Sequence, residues 1–216
     1  MRQNPSFTLA SDEGVKRLVR ANPWATIVSH TEERGLVASH YPVLLDEDAD
    51  GIVLLTHVGR PDEQLHELGR HEVLVVVQGP HGYISPGWYD ARPAVPTWNF
   101  TTAHLHGTPE ILSDAENLEV LDALVTHFEQ RMPEPRLTRG TDDNAAYAER
   151  IAAGTVGLRI PITRFEAKDK MSQNKPAETV ERIIAELEGE GPYADVALAQ
   201  EMRRARDARA GAERGR

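Results

Sequence analysis

The stretch Gly79-Pro80-His81-Gly82-Tyr83-Ile84-Ser85-Pro86-Gly87-Trp88-Tyr89, closed by Val95-Pro96-Thr97-Trp98-Asn99-Phe100, constrains this chain more than any other. Five of the twelve aromatics and four of the fourteen prolines fall between residues 79 and 100. Prolines fix φ, and tryptophans supply large flat faces. Packed with hydroxyls and an amide, they read as a rigid wall suited to a flat, partly polar ligand. The plainer alternative is a loop-rich corner of an ordinary core.

Around that segment, helix and strand patterns alternate without a regular βα repeat. Ser11 is a candidate N-cap for a helix through Val15, Leu18 and Val19 that ends near Asn22-Pro23. Trp24–Ser29 and Leu36–Leu45 read as strands joined by a turn at Glu33-Arg34-Gly35, a hairpin. Ile52–His57 is a third strand. Pro61 starts a short helix carrying Leu65 and Leu68. Val73–Gln78 is β-branched throughout and is expected to be buried on both faces.

Thr101–Leu112 has the pattern of one long strand. Ser113-Asp114-Ala115-Glu116 is a capping box ahead of Leu118, Leu121, Leu124, Val125 and Phe128 at helical spacing. Asp142–Ala153 predicts a helix, Thr155–Phe165 a strand, and Pro176 opens a last amphipathic helix through Val180, Ile183, Ile184 and Leu187. Strands joined by hairpins cannot form a parallel Rossmann sheet. The expectation is a small β-barrel with helical additions, mainly β within an α+β class. One domain spans residues 1–190, and residues 191–216 form a C-terminal helix or a disordered, arginine-rich tail. From Gln200 onward that tail has six arginines against three acids and almost no apolar residue after Met202.

Charge and composition narrow the function. A net charge of −10 opposes coating nucleic acid through the overall field. No helix-turn-helix with a basic recognition helix is visible, which opposes direct DNA binding. No apolar run approaches the roughly 20 residues that span a bilayer, and no secretory h-region opens the chain, so a cytoplasmic location is expected. The absence of cysteine excludes disulfides and thiolate chemistry. Neither standard nucleotide loop is present, nor a G-x-S-x-G elbow or an H-E-x-x-H helix. His104-x-His106 puts two imidazoles on one strand face, but two ligands do not make a metal site, and none is expected.

Four ordered motifs carry a family resemblance. The proline- and aromatic-rich segment is similar to the signature of the PaiB-like FMN-binding family, usually described as negative transcriptional regulators. Asn22-Pro23-Trp24-Ala25-Thr26-Ile27-Val28 resembles its first barrel strand. Ala38-Ser39-His40-Tyr41-Pro42-Val43-Leu44-Leu45 resembles its histidine-proline strand, and Lys168-Asp169-Lys170-Met171-Ser172-Gln173-Asn174 its K-x-S-Q-N motif. The similarity runs from about residue 6 to 188.

The resemblance implies an FMN-binding split β-barrel related to pyridoxamine-phosphate-oxidase-like flavoproteins, a homodimer with FMN at the subunit interface. It implies that His40 and Arg60 meet the phosphate, with polar help from Thr56 and His57. Backbone groups of Tyr41, Pro42, Val43 and Leu44 would face the ring edge, and Trp98 would wall it. Lys170, Ser172 and Gln173 would close over the pocket. Ser29, Val58, Gln64, Asn99 and Thr102 complete the implied cofactor-binding set. Two positions depart from the family pattern. Thr56 stands where glycine is usual. Pro61-Asp62-Glu63 follows Arg60 where a small residue and Asn-Pro are usual, and it brings two acids near the phosphate position. Such acids also suit a helix N-terminus. The expected function is a flavin-dependent regulator or sensor, with an FMN-dependent oxidoreductase on a small molecule as the alternative and haem handling a third.

Overall fold

The computed structural model describes residue 1 and residues 4–89 and 92–214. Arg216 and the side chain of Arg214, part of the arginine-rich tail, lie outside what is described. By its contacts the chain divides into two compact units. The larger holds Asp12–Val77 and Ala103–Phe165; the smaller holds Met1–Ser11, Gln78–Thr102 and Glu166–Arg216.

In the larger unit, helix α1 (Asp12–Ala21) buries Val15, Leu18 and Val19, one stripe at helical spacing. Strands β1 (Trp24–Thr31) and β2 (Gly35–Pro42) form the expected hairpin, in register from Trp24↔Pro42 to Thr31↔Gly35. Gly35 takes a φ of +68, a conformation that costs glycine little. β3 (Leu44–Leu45) pairs with β4 (Val53–Gly59), and helix α2 (Asp62–Leu65) follows. β5 (Val73–Ile84) pairs with β1 through Ala25↔Val77 to Val28↔Leu74. Val73, Val75 and Val77 are buried, whereas Leu74 and Val76 are only half-buried. One face of this β-branched run, not both, enters the core.

Three segments that read as single strands are each broken in two at a proline. The Leu36–Leu45 pattern stops at Pro42 and resumes as β3. Thr101–Leu112 divides into β6 (Thr97–Gly107) and β7 (Glu110–Ile111) around Pro109. Thr155–Phe165 divides into β8 (Thr155–Pro161) and β9 (Arg164–Lys170) after Pro161. In each case the chain passes between sheets, whose strand orders are β2-β1-β5-β6-β9 and β3-β4-β8-β7. Proline has no N–H for a continuing ladder, so it suits these corners.

Helix α3 (Asp114–Glu129) starts on the expected capping box, with both reciprocal bonds between Ser113 and Glu116 present. Its buried positions are Asn117, Val120 and Leu124, while Phe128 is exposed, so the inward stripe is rotated from the leucine-rich one. Asn117 explains the rotation. Its amide donates to Thr155 Oγ1 at 3.0 Å, and a Cβ on Gly157 would sit 2.9 Å from its Cα. Helix α4 (Asp142–Ala152) follows, capped by Thr141.

The smaller unit packs α5 (Ala177–Glu188) against α6 (Val196–Arg214). Val180, Ile183, Ile184 and Leu187 meet Leu198, Ala199, Met202 and Ala205 in a core shared with Ile84 and Met171. The arginine-rich tail is therefore helical through Arg214. Half of its inward stripe is alanine, which a hydropathy reading undervalues. Its arginines pair with acids of the same unit: Arg203 with Glu188 at 2.8 Å, Arg204 with Asp169, and Arg206 with Glu181. The aromatic segment is also more regular than a loop, since its first half is the end of β5 and Thr97–Phe100 begins β6.

Candidate functional site

In the larger unit the implied phosphate and ring-edge residues lie on β2, on and just after β4, and on α2, with His40 and Tyr41 on opposite faces of β2. His40 lies on the exposed face of β2, where Thr26 Oγ1 approaches its Nδ1 at 3.0 Å. Trp24, 63% exposed, stacks beside it with ring centroids 6.4 Å apart and planes 16° from parallel. The next residue, Tyr41, points the other way. Its hydroxyl donates to Asp62 Oδ2 at 2.7 Å and accepts from Gly59 N–H at 3.2 Å. Burial, then the bond to Asp62, raises its phenol above the ordinary range.

Arg60 follows Gly59. Its Nη1 donates to Glu63 Oε1 at 3.1 Å and its Nε to the Ala153 carbonyl at 3.1 Å, with the side chain 48% exposed. Both unusual acids are thus engaged locally, Asp62 by hydroxyls and Glu63 by Arg60. Thr56 is buried and its hydroxyl donates to the Pro42 carbonyl at 2.7 Å, so its side chain serves the β2–β4 junction. His57 sits edge-on to Tyr41 at 6.1 Å, and its Nδ1 is buried with no hydrogen-bond partner among the described residues. Burial holds this imidazole below its ordinary value. Val43 and Val58 are core residues, and Gln64 is exposed on α2.

Ser29 leads to a group the sequence did not single out. Its hydroxyl lies 2.7 Å from His66 Nδ1, and His66 Nε2 lies 3.0 Å from Ser39 Oγ. Ser39 in turn donates to Asp62 Oδ2 at 2.8 Å. His66 is buried, which lowers its basicity; Asp62 opposes that effect and His71 adds to it. Nothing local marks His66, because Leu65 and Leu68 dominate its segment and its partners come from two other strands.

In the smaller unit, Trp98 is 54% exposed at the start of β6, with Tyr83 edge-on at 6.4 Å and Tyr83 against Tyr193 at 4.9 Å. Lys170 donates to Thr97 Oγ1 and to the Trp98 carbonyl. Burial holds its ammonium below the ordinary range, and Lys168 and Lys175 push the same way. Ser172 and Gln173 turn inward. Ser172, at φ +59, donates to Asn99 Oδ1 at 2.9 Å, and Asn99 Nδ2 donates to Met202 Sδ. Gln173 accepts from Met171 N–H at 2.7 Å and donates to the Asp169 carbonyl. These bonds make the K-x-S-Q-N segment a clasp. Thr102 is half-buried on β6.

Residues 1–164 match the model of a family described as "Putative FMN-binding domain". The chain is 30% identical over 186 residues to the Protease synthase and sporulation protein PAI 2 of Bacillus subtilis strain 168, covering 85% of this chain and 87% of that one.

The chain belongs to this FMN-binding domain family.

Two solved structures share the fold. One is a FAD and heme binding protein from Mycobacterium smegmatis, with TM-score 0.56, 22% identity, and 86% of this chain and 81% of that chain covered. The other is the flavocytochrome Anf3 from Azotobacter vinelandii, with TM-score 0.56, 15% identity, and 79% and 72% covered. The fold is α+β, a split β-barrel with helical additions, as the family resemblance implies. Among the described residues no group of three or more metal-ligating side chains is present, and no helix is long and apolar enough to cross a membrane.

Proposed function

We propose that this protein binds FMN and uses it as a flavin-dependent regulator or sensor. The match of residues 1–164 to the FMN-binding domain family carries the reading. The residues present fit the group in kind. The larger unit offers a half-exposed guanidinium at Arg60 and the exposed imidazole of His40, with a buried Nδ1 on His57 that has no partner among the described residues. A dianionic phosphate asks for such donors. We assign the phosphate to Arg60 and His40, which requires Arg60 to share its charge between phosphate and Glu63. Backbone groups of Tyr41 to Leu44 are the ring-edge contacts in this reading. In the smaller unit, Trp98 presents an open aromatic face that can lie against a flavin ring. When bound, the flavin supplies one- and two-electron chemistry, and the chain supplies orientation.

Regulation is supported by the similarity to a sporulation protein along most of both chains. Control through direct DNA binding is not part of the proposal. The net charge is −10, and Arg203, Arg204 and Arg206 are already paired with acids. A homodimer belongs to the proposal, and light scattering that reports only monomer in the presence of FMN would remove it.

The deciding experiment is the absorption spectrum of purified protein with and without FMN, followed by anaerobic NAD(P)H titration. Stable flavin binding without turnover is the expected result. Bleaching that a second substrate reverses makes the protein an oxidoreductase, and no flavin binding at micromolar FMN ends the proposal.

A further inference from the structure

The smaller unit contains a cavity of about 310 Å³ where the Met171–Ala177 segment meets α5 and α6. It lies outside residues 1–164, the part that matches the FMN-binding domain family. Its floor is Met171, Val180 and Met202, all buried and apolar. Methionine is unbranched and polarizable, so such a floor adapts to an aliphatic or aromatic body. Its rim carries Lys175, Arg206 and Arg209, and among the described residues no acidic side chain lines it. In a chain with net charge −10, three lining cations without a lining carboxylate stand apart.

The three cations are not equivalent. Arg206 donates to Glu181 and to Asp207, so its charge is met from the side. Arg209 donates to the Gln173 carbonyl, which ties its guanidinium to the cavity wall. Lys175 lies 4.0 Å over the Tyr89 ring and, among the described residues, has no carboxylate partner. A ring face offsets only part of an ammonium's charge. The ammonium of Lys175 at the mouth is left to be balanced, over an apolar floor. Small-molecule sites commonly have this form, a mostly apolar cavity with a few polar groups that fix orientation.

We propose that this cavity binds a small apolar monocarboxylate, with the hydrocarbon body on Met171, Val180 and Met202 and the carboxylate on Lys175. The contacts it uses, Met171, Lys175, Val180 and Met202, are not among those assigned to FMN, although Gln173 on its wall belongs to the segment that the resemblance implies closes over the flavin, so competition with FMN distinguishes the two sites.

The test is calorimetric titration of the full chain with octanoate and, in parallel, with uncharged 1-octanol. Octanoate should bind more tightly. Lys175→Ala should weaken octanoate by roughly tenfold or more and leave 1-octanol unchanged, the effect of one charge-assisted contact. Ala177 is exposed at the first turn of α5 and lines the cavity, so Ala177→Phe should obstruct the mouth and weaken both ligands. No octanoate binding, equal binding of the two ligands, or octanoate affinity unmoved by Lys175→Ala each overturns the proposal. Displacement of octanoate by FMN overturns it too, since the cavity would then belong to the flavin.

Discussion

His66 Nε2 lies 3.0 Å from Ser39 Oγ, and this contact sets the direction of the whole network around it. Ser39 has one proton, and it goes to Asp62 at 2.8 Å. Ser39 must then accept from His66, so Nε2 carries the hydrogen, and in the neutral ring Nδ1 accepts from Ser29. Burial favours the neutral ring, and in that form every bond points toward Asp62. Protonating it would put a hydrogen on Nδ1 and oblige the Ser29 hydroxyl to turn and accept, while burial still disfavours the charged ring.

Acid should therefore weaken the fold, starting near pH 6.5. His66 and His57 are both held below their ordinary values by burial. Each binds a proton more readily when unfolded, so its contribution is fully present above the unfolded value of about 6.5. The contribution is lost as pH falls from there toward the folded value, at up to about 1.4 kcal/mol per pH unit per group. Urea midpoints between pH 7.5 and 5 should fall, and His66→Gln should flatten that slope. An unchanged slope in the variant would show that His66 does not titrate in this window.

Removing the ring outright leaves Ser29 and Ser39 with altered partners in a buried site. His66→Ala should cost about 3 kcal/mol from the lost bonds and the cavity together, read as a shift in denaturant midpoint.

Arg60→Ala should weaken FMN by roughly tenfold to a hundredfold and hardly change riboflavin, since only FMN carries the phosphate. Trp98→Ala should weaken both flavins alike. Trp98 is 54% exposed, so its loss should leave the melting temperature nearly unchanged. Fluorescence quenching by each ligand, paired with a thermal melt, separates phosphate recognition, ring contact and core packing.

Ser172 holds a φ of +59, which an L-residue adopts at a cost of about 1 kcal/mol. Ser172→Ala and Ser172→Gly both lose the bond to Asn99, but only glycine relieves the backbone. The glycine variant should be the more stable by about 1 kcal/mol, opposite to the usual order of these residues. Equal denaturant midpoints would show that the backbone is not strained there.

Gly107→Ala should destabilise the chain by about 2–3 kcal/mol. A Cβ at this position would stand 2.2 Å from the Pro161 carbonyl oxygen, so backbone would have to move. A thermal shift within a degree or so of wild type would contradict the close approach.

The sequence alone determined the features whose causes lie within a few residues. The Ser113–Glu116 capping box, the hairpin through Gly35 and the proline before α5 all formed where the local pattern put them. The family motifs were legible for the same reason, since each is a run of adjacent residues. Tertiary structure decided where strands end and which polar groups meet. Hydropathy at Leu36–Leu45 is continuous, yet the ladder stops at Pro42 because β3 finds its partner in β4 of the other sheet. The proposed site was legible only as residue types. Pairing engages the hydroxyl of Thr56 with a carbonyl, sets Arg60 against Glu63, and gathers Ser29, Ser39, Asp62 and His66 from separate elements. The arginines of α6 looked like a loose cationic tail until alanines 199 and 205 were buried and acids of α5 came within reach. Local sequence fixes dihedral preference and caps; burial and partner choice depend on residues distant along the chain.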